Sequence, residues 1–163
     1  MRIGVIAVLA LLGACTTPST PEQATFFGLE GAWRGTGTFQ GMPSNVTARF
    51  APDSDGIWTL DIEIAAARPG GEPVVFTGRA RYLMEAALPV GGAWSDSMGS
   101  DYSISPRIED GALIVDWGPE APVRSRSEYR VQDDGDLQID DFAPGRDGTL
   151  RRFATAELRR ATP

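Results

Sequence analysis

The dominant pattern along the chain is strict alternation of apolar and polar positions. In "IWTLDIEI" (57–64), Trp58, Leu60, Ile62 and Ile64 share one side, while Thr59, Asp61 and Glu63 take the other, as a pleated strand requires. The same phase recurs in three further runs. Phe76, Gly78, Ala80, Tyr82 and Met84 oppose Thr77, Arg79 and Arg81; Leu113, Val115 and Trp117 oppose Ile114 and Asp116; Ser127, Tyr129 and Val131 oppose Arg126, Glu128 and Arg130. Turn chemistry separates the runs: "PDSDG" at 52–56, "RPGGEP" at 68–73, "LPVGG" at 88–92, "EDG" at 109–111, "GPEAP" at 118–122, "DDGD" at 133–136 and "APGRDG" at 143–148. The spacing predicts about eight to nine strands, near 33–40, 44–51, 57–66, 74–85, 93–104, 107–109 with 112–117, 123–132, 137–142 and 149–160. Only "EQATFFGLEG" at 22–31 has helical character, enough for a short turn of helix closing one end.

A polar outer face on nearly every strand implies one sheet wrapped around one interior. The expected fold is therefore all-β, an antiparallel up-and-down β-barrel in which successive strands pair. A two-sheet sandwich shows the same alternation, but its crossovers between sheets are longer than these connections. No internal repeat and no second domain is visible.

The first strand, "GAWRGTGTF" at 31–39, is unusual. Its inward phase carries Gly31, Trp33, Gly35, Gly37 and Phe39, so two glycines stand between two aromatics. Glycine inside a strand signals a bend, a close backbone approach or empty space. Gly31-Ala32-Trp33 resembles the G-x-W of lipocalins, and the longer G-x-W-x-G-x-G resembles the start of nitrobindin-like barrels. The resemblance implies a lipocalin-like barrel whose first strand enters beneath a closed end sealed by Trp33. Nitrobindin-like barrels hold haem through a proximal histidine, and this chain has none. Haem ligation would fall to Tyr82, Tyr102, Tyr129 or a methionine; aromatics in this phase read as core instead, and no cofactor is expected.

The N-terminus, "MRIGVIAVLALLGAC", has one basic residue and then an apolar run too short to cross a bilayer, the form of an export signal. Leu12-Gly13-Ala14-Cys15 resembles the signal of bacterial lipoproteins, which implies cleavage after residue 14, lipid on Cys15 and attachment to a membrane. Thr16 after the cysteine implies, by the same resemblance, an outer-membrane address facing the periplasm in a Gram-negative cell. Residues 15–25 then read as the lipidated cysteine and a flexible tether, and 26–163 as the barrel domain. With Cys15 committed to lipid, the chain has no cysteine for a disulfide. The formal charge of −7 argues against nucleic acid as a partner, since that binding rests on a basic patch.

The chain has no histidine and no lysine, so the usual general base and Schiff-base amine are missing, and an enzyme would have to work with carboxylates. Asp96, in phase with Trp94, Met98, Tyr102 and Ile104, is a candidate inward acid, unless the Ser- and Asp-rich run around it is an edge or loop. The acidic "DDGDLQIDD" at 133–141 lacks the spacing of a calcium loop and reads as a hairpin turn, as do Asp53 and Asp55 before Gly56.

The leading expectation is a non-enzymatic barrel that accepts a small apolar or amphipathic ligand. Its interior would be lined by Trp33, Gly35, Gly37, Phe39, Trp58, Phe76, Tyr82, Trp117 and Tyr129, with the small residues supplying volume. The competing expectation is a filled barrel, structural or protein-binding, in which the glycines only permit bending. In "TLRRFATAELRR" (149–160), Leu150, Ala154, Ala156 and Leu158 share a phase that also places Arg152 and Arg160 inward. Antiparallel closure of the last strand on the first brings Arg160 beside Trp33, and lipocalins resemble this arrangement in packing a late arginine across the G-x-W tryptophan.

Overall fold

The computed structural model describes residues 20–119 and 123–161; Cys15 and the signal segment lie outside them. Helix α1 (Pro21–Gly28) precedes ten strands: β1 (Gly31–Phe39), β2 (Met42–Pro52), β3 (Trp58–Ala66), β4 (Val74–Glu85), β5 (Leu88–Asp96), β6 (Asp101–Glu109), β7 (Ala112–Trp117), β8 (Ser125–Val131), β9 (Leu137–Pro144) and β10 (Leu150–Arg160). Every strand pairs antiparallel with its neighbours in sequence, and β1 pairs with β10, so the sheet closes into an up-and-down barrel.

Two expectations about the strands are corrected by local chemistry. The run 93–104 is two strands, because Asp96 turns the chain: its Oδ1 accepts from the amides of Met98 and Ser100 at 2.9 and 3.1 Å. "LPVGG" is the start of β5 rather than a turn. The reversal lies just before it, at Ala86 and Ala87, which hold φ of +47° and +63°. Both are in the left-handed region that turn-forming glycine or asparagine usually occupies, which is why composition does not reveal this hairpin.

α1 starts at Pro21, four residues before the expected end of the tether. Thr20 caps it by accepting from the Gln23 amide at 3.2 Å, and Pro21 occupies the first turn, where its missing N–H costs nothing. The helix lies across one end of the barrel. Phe26 and Leu29 are 1% exposed there, and the Phe26 ring meets Trp58 at 5.2 Å and Tyr82 at 5.9 Å. Phe27 adds a second edge contact to Trp58 at 5.4 Å.

Beneath the helix, Trp33 is 1% exposed and its Nε1 donates to the Leu29 carbonyl at 2.8 Å. The β1–β10 register sets Trp33 opposite Arg160, whose guanidinium carbon sits 4.3 Å from the indole centroid. The same guanidinium donates to the carbonyls of Glu30 (2.5 Å) and Gly28 (2.7 Å), tying the last strand to the end of α1. Gly31 makes room for it, since a Cβ there would stand 2.9 Å from Arg160 Nη1.

Gly35 and Gly37 do not leave space. A Cβ at either would lie 1.9 Å from a carbonyl oxygen of β10, that of Glu157 or Thr155. The glycines serve close approach of two backbones at the closing seam, not cavity volume, and the expectation that they supply room for a ligand is withdrawn. Arg152 is corrected too. A bulge between Arg152 and Ala154 shifts the register against β9, so Arg152 is exposed and pairs with Asp140 at 3.0 Å while Phe153 turns into the barrel mouth.

Removing the guanidinium that ties α1, Trp33 and β10 together costs one cation–π contact and two charge-assisted hydrogen bonds. Arg160→Ala is expected to destabilise by about 1–3 kcal/mol and shift tryptophan emission. Arg159→Ala loses an exposed 3.4 Å pair with Asp136 and is expected to change stability by less than about 1 kcal/mol, with no spectral change. Thermal melts and fluorescence of the two variants measure the difference.

Candidate functional site

The two ends of the barrel are filled differently. The closed end holds Phe26, Leu29, Trp33, Phe50, Leu113, Leu137 and Leu158, all 1% exposed or less. Towards the other end, where β1 finishes and β2 begins, the interior opens into a cavity of about 700 Å³.

A connected series of aromatic rings runs along its lining, joined where Phe39 meets Phe153 edge to face at 6.0 Å. On one arm Phe39, Phe76 and Trp94 form a staggered series, with centroids 5.9 and 6.4 Å apart and planes within 25° and 18°. The series depends on Gly78. A Cβ there would fall 2.2 Å from the Trp94 ring, so only glycine lets the indole lie on β4. On the other arm Trp117 meets Tyr102 at 6.5 Å and Phe153 at 6.4 Å. Ile62, Ile64, Ala80, Ile104 and Val115 line the remaining apolar surface.

Of the residues named from sequence, Phe39, Phe76, Tyr82, Trp117 and Tyr129 line the cavity. Trp33 and Trp58 lie within the barrel but belong to the closed end, in the packing around α1. Gly35 and Gly37 lie on the closing seam. Asp96 stands at the rim, where Trp94 Nε1 donates to its Oδ2 at 3.0 Å. Burial works to raise its pKa, but the hydrogen bonds from Trp94 and from the Ser100 and Met98 amides outweigh it, leaving the carboxyl below its usual range. Asp96 is a turn cap more than a poised acid.

The polar group missing from the sequence-based list is Asp141. Alternation from Leu137 and Ile139 carries straight to it, so the signal was present, hidden because the residue sits in an acid-rich stretch that also contains a hairpin turn. β9 sets it opposite Ser127 of β8, whose Oγ donates to Asp141 Oδ1 at 2.5 Å and accepts from Trp117 Nε1 at 2.9 Å. This chain of donors fixes the indole, the hydroxyl and one carboxylate oxygen. Asp141 Oδ2 accepts no hydrogen bond from any described residue, and the surface that Asp141 retains borders the cavity. Burial raises the Asp141 pKa to about 6, the Ser127 bond lowers it in part, and neighbouring Asp140 raises it further. Deeper in, the Tyr82 hydroxyl is buried without a hydrogen-bond partner, and burial pushes its pKa well up.

The fold and the site together define an up-and-down antiparallel barrel, plugged by a helix at one end and hollow at the other. No protein-family model matches the sequence, and no curated protein matches it. Among solved structures the chain is similar to the crystal structure of Rv2717c from M. tuberculosis, with a TM-score of 0.56 and 16% identity over 88% of this chain and 99% of that one. Similarity at this identity establishes the shared barrel fold.

The raised Asp141 pKa has a signed consequence for stability. Between about pH 4 and pH 6 the folded chain holds a proton on this carboxyl that the unfolded chain has lost, so stability from this group is present below about pH 4 and is lost as pH rises through 6. Asp141→Asn removes the titration while keeping an acceptor for Ser127. The variant is expected to gain up to about 2–3 kcal/mol relative to the parent at pH 7.5, and little at pH 4. Denaturant titrations at the two pH values provide the comparison.

Proposed function

We propose that this barrel is a binding module that takes a small apolar or amphipathic molecule into its open end, and that lipid on Cys15 holds it at the cell envelope. The observation that carries the binding reading is the 700 Å³ cavity walled by Phe39, Phe76, Trp94, Trp117 and Phe153. Its volume is within the range of small-molecule sites, and so is its make-up, mostly apolar with a few fixed polar groups. A filled, purely structural barrel would extend the packing of the closed end through to the mouth. Here it stops at about the level of Tyr82. The chain from Trp117 through Ser127 to Asp141 holds fixed polar atoms on an otherwise apolar wall, which suits orientation of a ligand.

A neutral environment-sensitive fluorophore, N-phenyl-1-naphthylamine, is expected to bind with micromolar affinity and a blue-shifted emission. Val115→Trp, which projects a large ring into the cavity, is expected to remove that binding while the barrel still melts cooperatively. Undiminished binding by this variant would refute the cavity as the site.

The envelope reading is supported by the "LGAC" segment, which resembles a lipoprotein signal, and by the charge of −7, which disfavours nucleic-acid partners. Expressed from the full chain in a Gram-negative host, the protein is expected to incorporate a fatty-acid probe and to sediment with outer membranes. Cys15→Ala should do neither. Equal labelling of both proteins would overturn the anchor.

A further inference from the structure

The cavity wall carries one feature that an exclusively apolar ligand would leave unanswered. Asp141 lines the cavity, and its only hydrogen-bond donor among the described residues is the Ser127 hydroxyl, on Oδ1. The flanking strands bring Asp141 no unengaged cation; the basic side chain among the residues lining the cavity is Arg68, exposed in the loop between β3 and β4. On its own strand Asp140 is another acid, held by Arg152 and Gln138. On β8, Tyr129 is neutral at physiological pH and Arg126 is engaged with Asp116. On β10 its register partner is Ala154. From β2 and β3, Ser44, Ile62 and Ile64 line a small crevice together with Asp141, and the Ser44 hydroxyl has no partner among the described residues. Across the cavity, Tyr82 on β4 carries the second orphan hydroxyl, while Asp96 on β5 and Arg68 stand among the residues lining the same space.

We infer that the ligand is an amphipathic organic cation, a protonated amine on an apolar or aromatic body, with its ammonium group at Asp141 and its body against the aromatic rings of the cavity. This inference rests on the cavity being the binding site and adds the chemical class of what enters it. An isolated carboxylate in an apolar enclosure is unfavourable unless a cation or donors complete it. The fold supplies one hydroxyl to one oxygen and leaves the other oxygen open. The rings of Trp117 and Tyr129 border the same region, and aromatic faces attract ammonium groups by their quadrupoles. A fatty acid would set a second negative charge beside Asp141, and a hydrocarbon would strip water from it without replacing the lost hydrogen bonds. At pH 7 the carboxyl, with its pKa near 6, is largely ionised, the form that a cation selects.

Three ligands of equal chain length separate the possibilities: decylamine, decanol and decanoate, each titrated to displace N-phenyl-1-naphthylamine from the full chain or its soluble barrel at pH 7.5. Decylamine is expected to displace the fluorophore at about one-tenth the concentration of decanol or less, the scale of a desolvated charge pair, with decanoate the weakest. In Asp141→Asn the advantage of the amine over the alcohol should vanish. In the parent it should shrink between pH 7.5 and pH 5 as Asp141 takes up its proton, a measurement that needs no variant to fold. The control matters, because the net charge of −7 attracts any amine to the outer surface. An advantage that survives both Asp141→Asn and the lower pH would overturn the assignment to Asp141, and equal displacement by amine and alcohol would overturn the preference for a cation. If the fluorophore does not bind at all, the cavity reading fails and this inference fails with it. Displacement by the alcohol alone would leave the cavity reading intact and refute only the inference.

Discussion

Closure of β1 on β10 is the contact on which the rest of the molecule depends. A ten-stranded sheet that did not close would expose two edges and one broad apolar face to water. The register from Trp33–Arg160 to Phe39–Ala154 joins those edges and fixes which residues meet at each level of the interior. The approach at the seam is close enough that a Cβ at position 35 or 37 would overlap a carbonyl of β10, so the two glycines are a condition of closure. The same seam places a guanidinium over the first tryptophan and beneath the end of the helix, so barrel closure and the plugging of one end are a single event.

The difference between the two ends follows from that seam. Below it, Phe26, Phe27, Trp58 and Tyr82 interlock edge to face, and the helix contributes the rings that strands alone would not bring to the axis. At the other end no helix of the described residues enters. The large side chains there, Trp94, Trp117 and Phe153, lie along the walls. Gly78 beneath Trp94 and the bulge that turns Phe153 inward direct these rings, so the hollow is bounded by aromatic faces. Volume arises from where the rings lie, not from small residues as such.

Against this apolar lining the polar groups are few, and stability alone does not account for them. Among the described residues Asp141 has one donor, and the hydroxyls of Tyr82 and Ser44 have no partner. Each unsatisfied group opposes folding, and a valine or phenylalanine in its place would pack a better core. Local departures from the rules of good packing concentrate where a protein meets something else. Here Asp141 and Tyr82 line the cavity, and Ser44 lies with Asp141 along a small crevice beside it.

Much of this architecture was legible in the chain. Period-two alternation is a local property, and it was sufficient to give the class of fold, the inward residues of most strands, the short helix and the cluster of aromatic residues along the interior. Pairing of neighbours followed from short connections, and the juxtaposition of Arg160 with Trp33 followed from antiparallel closure. Asp141 was legible in the same way, by its phase with Leu137 and Ile139, but its acid-rich surroundings suggested a turn. Other features depend on atoms far apart in sequence. Alanines hold the left-handed turn at 86–87 because the paired strands on either side require it, and no composition rule marks it. The bulge at 152–154 reverses the phase of Arg152 because β9 and β10 must stay in register beyond it. Whether a glycine gives room or removes a clash is decided by the strand beside it, and whether an interior is filled or hollow is decided by the directions of side chains from all ten strands together. The sequence by itself determined which residues face inward; only the tertiary structure decided which of them touch, because closure fixes distances across the barrel that no local pattern encodes.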